Sequence, residues 1–141
     1  MKAIFSRRSK LVAWLDEYSS IIFDLNTRPI AHVALGAVYT YDSHHLGYFD
    51  KGFFRDLGGH AVAFLHERTG GPITAIPSMV RLPPVAPWAP APPSPPAAPA
   101  MPIAGYTWSM LDWDDFMKPA QLRQTSKSDP GAALIAAQER A

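Results

Sequence analysis

From Ile4 to Leu65 the apolar residues come in short arms, two to a unit, and the unit recurs four times. Ile4-Phe5 with Val12-Ala13-Trp14-Leu15 aligns with Ile22-Phe23 and Ile30-Ala31-His32-Val33. The same frame continues as Val38-Tyr39 with Leu46-Gly47-Tyr48-Phe49, then Phe54-Arg55 with Val62-Ala63-Phe64-Leu65. Successive copies are offset by 18, 16 and 16 residues. Arms of about four or five residues are too short for helices and suit strands. The polar middles carry turn chemistry: Arg8-Ser9, Asn26-Thr27, Asp42-Ser43 and Gly58-Gly59. Asn, Asp and Gly tolerate the positive φ that tight hairpins need. Each unit therefore reads as one β-hairpin, and a periodic unit of this kind decides the architecture before any single residue does.

Simple alternation along the second arm sorts its residues onto two faces. Val12, Ile30, Leu46 and Val62 fall with Trp14, His32, Tyr48 and Phe64, while Ala13, Ala31, Gly47 and Ala63 fall with Leu15, Val33, Phe49 and Leu65. Both faces are apolar, which implies that both are covered. The recurring small residue implies close approach of a backbone or a covering segment. A lone hairpin is marginal in water, so the four must bury their arms together. The expected fold is all-β: a small closed or nearly closed barrel-like domain of four pseudo-symmetric hairpins, since closure removes sticky edges. A proline-rich extended segment and a short helix follow it.

Composition divides the chain. Twelve of the 15 prolines fall between Pro72 and Pro102. Proline withholds amide donors and holds the backbone extended, so this stretch cannot build a core. The expected divisions are a hairpin domain at residues 1–77, a proline-rich segment at 78–104, a short amphipathic helix at 105–118 and a flexible tail at 119–141, helical from 130. Ser109 is the expected cap of the short helix, with Met110, Trp113, Phe116 and Met117 on one face. Pro130, behind Ser128 and Asp129, suits a first helical position.

The string from Ile22-Phe23-Asp24-Leu25-Asn26 to Gly36-Ala37-Val38-Tyr39 resembles the bacterial four-fold beta-flower domain. So do Phe53-Phe54-Arg55-Asp56, Val62-Ala63-Phe64 and Thr69-Gly70-Gly71-Pro72. The proline run, Tyr106-Thr107-Trp108-Ser109 and Trp113-Asp114-Asp115-Phe116 are similar to that family's ending. The likeness spans about residues 3 to 117. It implies four hairpins around a pseudo-axis, and brings no catalytic residue to carry over. The first repeat departs from the pattern, with Ser6-Arg7-Arg8-Ser9 where the others have better turn formers.

Charge and chemistry narrow the function classes. Thirteen Lys and Arg against 12 Asp and Glu leave no field to recruit nucleic acid or anionic membrane. The short Arg7-Arg8-Ser9-Lys10 cluster does not change that expectation. Cysteine is absent, which removes disulfides and thiolate metal sites. No stretch is apolar enough for a signal peptide or membrane helix, so a cytoplasmic protein is expected. No Walker or dinucleotide pattern surrounds the paired glycines.

Two surfaces remain as candidates for binding, and no catalytic residue, metal ligand or cofactor is assigned. The first is an aromatic surface of Trp14, Tyr48 and Phe64, joined by Trp88 from the tail. The second, an alternative, is a ring of cations just after each turn: Lys10, Arg28, His44 and His60. That ring suits an anion or metal ion, and would support an enzyme if the paired Asp24 and Asp56 converged. The bland reading makes these solvated post-turn residues and turn-capping aspartates. Within the tract, Arg81, Pro84 and Pro87 match a polyproline ligand, a cation ahead of two spaced prolines. The tract thus admits three roles: docking on its own hairpins, recruiting a protein partner, or plain spacing. The expected function is a non-catalytic binding or assembly module, through the aromatic face or the tract.

Overall fold

The computed structural model describes residues 1–75 and 82–123. Eight antiparallel strands form a closed barrel in sequence order. They are β1 (Lys2–Ser6), β2 (Leu11–Asp16), β3 (Ile21–Phe23), β4 (Pro29–Ala34), β5 (Ala37–Thr40), β6 (His45–Asp50), β7 (Phe53–Arg55) and β8 (Ala61–Leu65). β8 returns to β1 through Ile4 opposite Leu65 and Phe5 opposite Phe64, so no strand edge is left over. Eight strands give an interior just wide enough for side chains to fill.

The four-fold repeat is literal in the hydrogen bonds. Ser9, Thr27 and Ser43 take φ of 62°, 59° and 64°, and Gly59 takes 86°. Their amides donate to the carbonyls of Ser6, Asp24, Thr40 and Asp56 respectively. The first turn, with its poorer turn formers, has the same geometry as the others. The residue before each turn also holds it by its side chain. Asp24 Oδ1 accepts from the amides of Asn26 and Arg28, and Asp56 Oδ1 from those of Gly58 and His60. Ser6 and Thr40 hydroxyls do the same for Lys10 and His44.

One residue per hairpin escapes simple alternation. Ile4 pairs with Ala13 but Phe5 with Leu11, which leaves Val12 as a bulge. The identical slip isolates Ile30, Leu46 and Val62. A bulge sets two residues against one and re-aims the side chain. These four therefore join the interior cluster with Ile4, Ala13, Leu15, Ile22, Ala31, Val38, Phe54, Ala63 and Leu65. That corrects the face assigned by alternation, which grouped them with Trp14.

Past the barrel, α1 (Trp113–Phe116) sits over the end that carries the hairpin turns. Trp113 and Phe116 belong to the interior cluster, and Trp113 meets Phe54 edge-on at 5.5 Å. Arg123 donates to the Leu46 carbonyl at 2.6 Å. A Cβ built at Gly47 would lie 2.6 Å from the Phe116 ring and would also collide with the Arg55 carbonyl. Glycine is thus the version of the recurring small residue that admits the helix. The helix is shorter than expected and its cap is Asp112, whose Oδ1 accepts from Asp115 N at 2.8 Å. Ser109 is instead committed to Asp56, 2.6 Å away, and Met110 is exposed rather than on the buried face. Because the helix starts at Trp113, Asp114 and Asp115 occupy its first turn, where acids are favoured. A 3-10 turn, Ala120–Leu122, follows. The expected division near residue 77 and the helix from 130 lie outside the described residues. Among the described residues no helix is long and apolar enough to cross a membrane.

Candidate proline-binding surface

The outward side chains form the aromatic face. Around the barrel they pair across strands: Ala3 with Trp14, Trp14 with Phe23, Ile21 with His32, His32 with Tyr39, Ala37 with Tyr48, Tyr48 with Arg55, Phe53 with Phe64, and Phe64 with Phe5. Trp14, His32, Tyr48 and Phe64 are four-fold equivalents, so a closed cylinder spreads them around its circumference instead of gathering them in one patch. The expected single surface is therefore divided into separate clusters.

The chain beyond the barrel runs over these clusters as a strap. Ala86 and Ala89 pack on Trp14, Ile21 and Phe23. Ala98 and Met101 pack on Ala37, Tyr39 and Tyr48. Trp108 packs on Phe5, Phe53, Ala61 and Phe64, with its ring 6.2 Å from that of Phe64. Trp88 points away from this packing, 87% exposed, although its neighbours Ala86 and Ala89 are held. Pro84 is half-buried and Pro87 exposed. Arg81 lies outside the described residues.

Polar contacts fix the path of the strap. Tyr41 Oη donates to the Pro90 carbonyl at 3.2 Å, Tyr39 Oη to Pro96 at 2.8 Å and Tyr48 Oη to Pro99 at 3.1 Å. Further on, Arg55 Nη1 donates to the carbonyls of Gly59 and Gly105, and Nη2 to that of Gly70. Ala61 and Trp108 form a parallel bridge, with Ala61 N donating to Thr107 O and Ser109 N to Ala61 O. Arg55 takes the place that Phe5, Phe23 and Tyr39 hold in the other repeats. It is fully buried, its Nε has no partner among the described residues, and burial pulls its pKa down, opposed by Asp50 and Asp56. Sequence reasoning passed over Arg55, and the signal was there: one charged residue in an aromatic column.

A second polar group lies on β4–β6 and the turn between the last two. His32 stacks on Tyr39 at 5.7 Å, Tyr39 lies 5.4 Å from His45, and His45 meets Tyr48 edge-on at 4.9 Å. His32 is buried, its Nε2 has no partner among the described residues, and desolvation lowers its pKa. Desolvation also lowers that of His45, against the raising effect of its bond to the Gly47 carbonyl. In both rings burial thus works against the charged form. Burial raises the hydroxyl pKa of Tyr39 and Tyr41, which keeps them as donors.

The post-turn residues Lys10, Arg28, His44 and His60 lie at the turn-bearing end of the barrel, all exposed and spread around its rim as four-fold equivalents. Arg28 Nε pairs with Asp24 at 3.1 Å, and His60 Nδ1 meets Thr107 Oγ1 at 2.7 Å. Trp113 and Phe116 fill the middle of that end. Asp24 is spent on its own turn, and Asp56 on its own turn and on Ser109. Among the described residues no three His, Cys, Asp or Glu side chains come together as a metal site.

A family model described as 4-fold beta flower protein matches residues 2–117, a span that includes the barrel, the strap and α1. No curated protein and no solved structure matches the chain.

Proposed function

The chain belongs to the 4-fold beta flower proteins, and on that footing we propose that it is a non-catalytic binding and assembly module. Its outer barrel face recognises extended proline-rich chain, and in this protein the site is filled by the protein's own tract. One observation carries the reading: Tyr39, Tyr41 and Tyr48 each donate a hydroxyl proton to a carbonyl of the tract. Proline segments offer carbonyls and few amides, so aromatic side chains ending in a donor are their natural complement. Exposed Trp88 and the neighbouring prolines leave a place where a protein partner can engage the strap itself. The absence of cysteine agrees with a reducing, cytoplasmic setting. The alternative of an anion or metal protein built on Lys10, Arg28, His44 and His60 has less support, because two of the four are engaged and the centre of that end is filled.

The test uses the full chain with its Met101 methyl as reporter, since Met101 packs beside Tyr48. A free peptide with the sequence of residues 88–101 is titrated in. Progressive movement of the Met101 signal toward its unstructured position is expected as the peptide displaces the strap. In the Tyr39→Phe/Tyr48→Phe protein, whose own strap loses the same two bonds, the Met101 signal should lie nearer its unstructured position before any peptide is added. A Met101 signal that never responds to peptide would reduce the strap to a fixed structural part and end the binding proposal.

A further inference from the structure

Where the strap crosses β4 to β6 it does not lie flat. A hollow of about 660 Å³ remains between strap and barrel. Leu35, Tyr39, Tyr48 and Asp50 line the barrel side, and Pro96 and Met101 are part of the strap side. Leu35 is fully exposed at its rim.

The electrostatics of this hollow are one-sided. No Lys, Arg or His lines it. Asp50 is its one carboxylate, and among the described residues it has neither an ion pair nor a side-chain hydrogen bond to satisfy it. Two cations stand nearby in sequence or space. The Lys51 side chain runs alongside Gly70, and the Arg55 guanidinium, which feels the Asp50 charge, is fully buried and donates to three carbonyls. The single hydroxyl protons of Tyr39 and Tyr48 are already given to Pro96 and Pro99. Pro95, Pro96 and Pro99 have no amide proton to give. Ser94 excepted, no side chain lining the hollow has a hydrogen-bond donor left to offer. Apolar walls, aromatic side chains, carbonyl oxygens and one carboxylate without a direct ion pair among the described residues together favour positive charge on an apolar body.

We propose that this hollow binds a compact organic cation, an alkylated ammonium group, with Asp50 as its counter-charge. The site rests on the docked strap of the proposed function, because the strap supplies one wall.

Choline is the probe, compared with its uncharged carbon isostere, in which a tert-butyl group replaces trimethylammonium. Both are titrated into the full chain while the methyl signals of Leu35 and Met101 are followed. Choline should give saturable shifts at both, and the isostere should bind at least about tenfold more weakly. Asp50→Asn should weaken choline about tenfold and leave the isostere unchanged. Equal binding of choline and isostere, or undiminished choline binding by the Asp50→Asn protein, would overturn the proposal. So would the lack of any saturable response in a protein whose Met101 methyl shows the strap in place, and in that case the strap reading survives. A Met101 signal already at its unstructured position in the free protein would remove the wall and sink both.

Discussion

The same eight strands present two faces that have solved burial differently. Inside, the repeat is nearly exact in kind: Ile4, Ile22, Val38 and Phe54 from first arms, and Ala13, Ala31, Gly47 and Ala63 from second arms, all fully or nearly buried. Outside, the equivalent positions have drifted to Trp14, His32, Tyr48 and Phe64, and to Phe5, Phe23, Tyr39 and Arg55. A closed interior touches only itself, so each copy must fit three near-identical neighbours, and symmetry holds composition in place. The outer face touches a strap that has no four-fold symmetry. Each quarter of the barrel meets a different stretch of it, and the side chains differ accordingly. Uniformity marks the face that packs on itself, and diversity marks the face that reads something else.

The sharpest way to break this contrast is to damage the inside. Phe54→Ala, from a residue touching both Phe49 and Trp113, should cost about 3–5 kcal/mol and loosen barrel, helix and strap together in a thermal melt. Gly47→Val tests a place where the tail reaches the interior. Overpacking against Phe116 and the Arg55 carbonyl should cost about 1–3 kcal/mol, with Trp113 fluorescence changing before the barrel unfolds. The outside should yield more locally. Tyr39→Phe and Tyr48→Phe each remove one hydroxyl donor and should cost about 0.5–1.5 kcal/mol, with accelerated proteolysis confined to the strap. Barrel unfolding at the same protease dose would contradict the separation of the two faces.

The smallest effect concerns His32 and works in the opposite direction. Its equivalents are aromatic, and its buried Nε2 has no partner among the described residues. His32→Phe should stabilise the protein by about 1 kcal/mol. It should also flatten the pH dependence. With its folded pKa below the unfolded value of about 6.5, His32 binds its proton more readily in the unfolded chain. Stability should therefore be level above that pH and fall as pH drops below it, until the folded pKa is passed. His45, shifted the same way, contributes in the same window. Urea melts at a series of pH values for wild type and His32→Phe read the difference directly.

The hairpins were legible because strand length, turn chemistry and spacing all repeat. The bulges were not, since Val12, Ile30, Leu46 and Val62 sit inside unbroken apolar runs where alternation gives no warning. An apolar run on a two-sided strand was itself the hint. The strap's route was illegible for a different reason: a proline tract has no period to match against a barrel, and the tyrosine–carbonyl bonds join residues 49 to 57 positions apart. Arg55 could have been found by its misfit in an aromatic column. Ser109 misled because it stands at capping distance from Asp112, while the pull that places it comes from Asp56 in the fourth turn.

Trp108 gives the strap a place in time as well as in space. Its pocket is made by Phe5 from the first strand and by Phe53 and Phe64 from the last two, and those strands meet only when the sheet has come full circle. During synthesis the first strand waits through the emergence of the other seven, and the strap leaves the ribosome after all eight. The order of translation therefore matches the order of need: the fastening arrives after the two ends it fastens, and finds its seat only on a chain that has already met its own beginning.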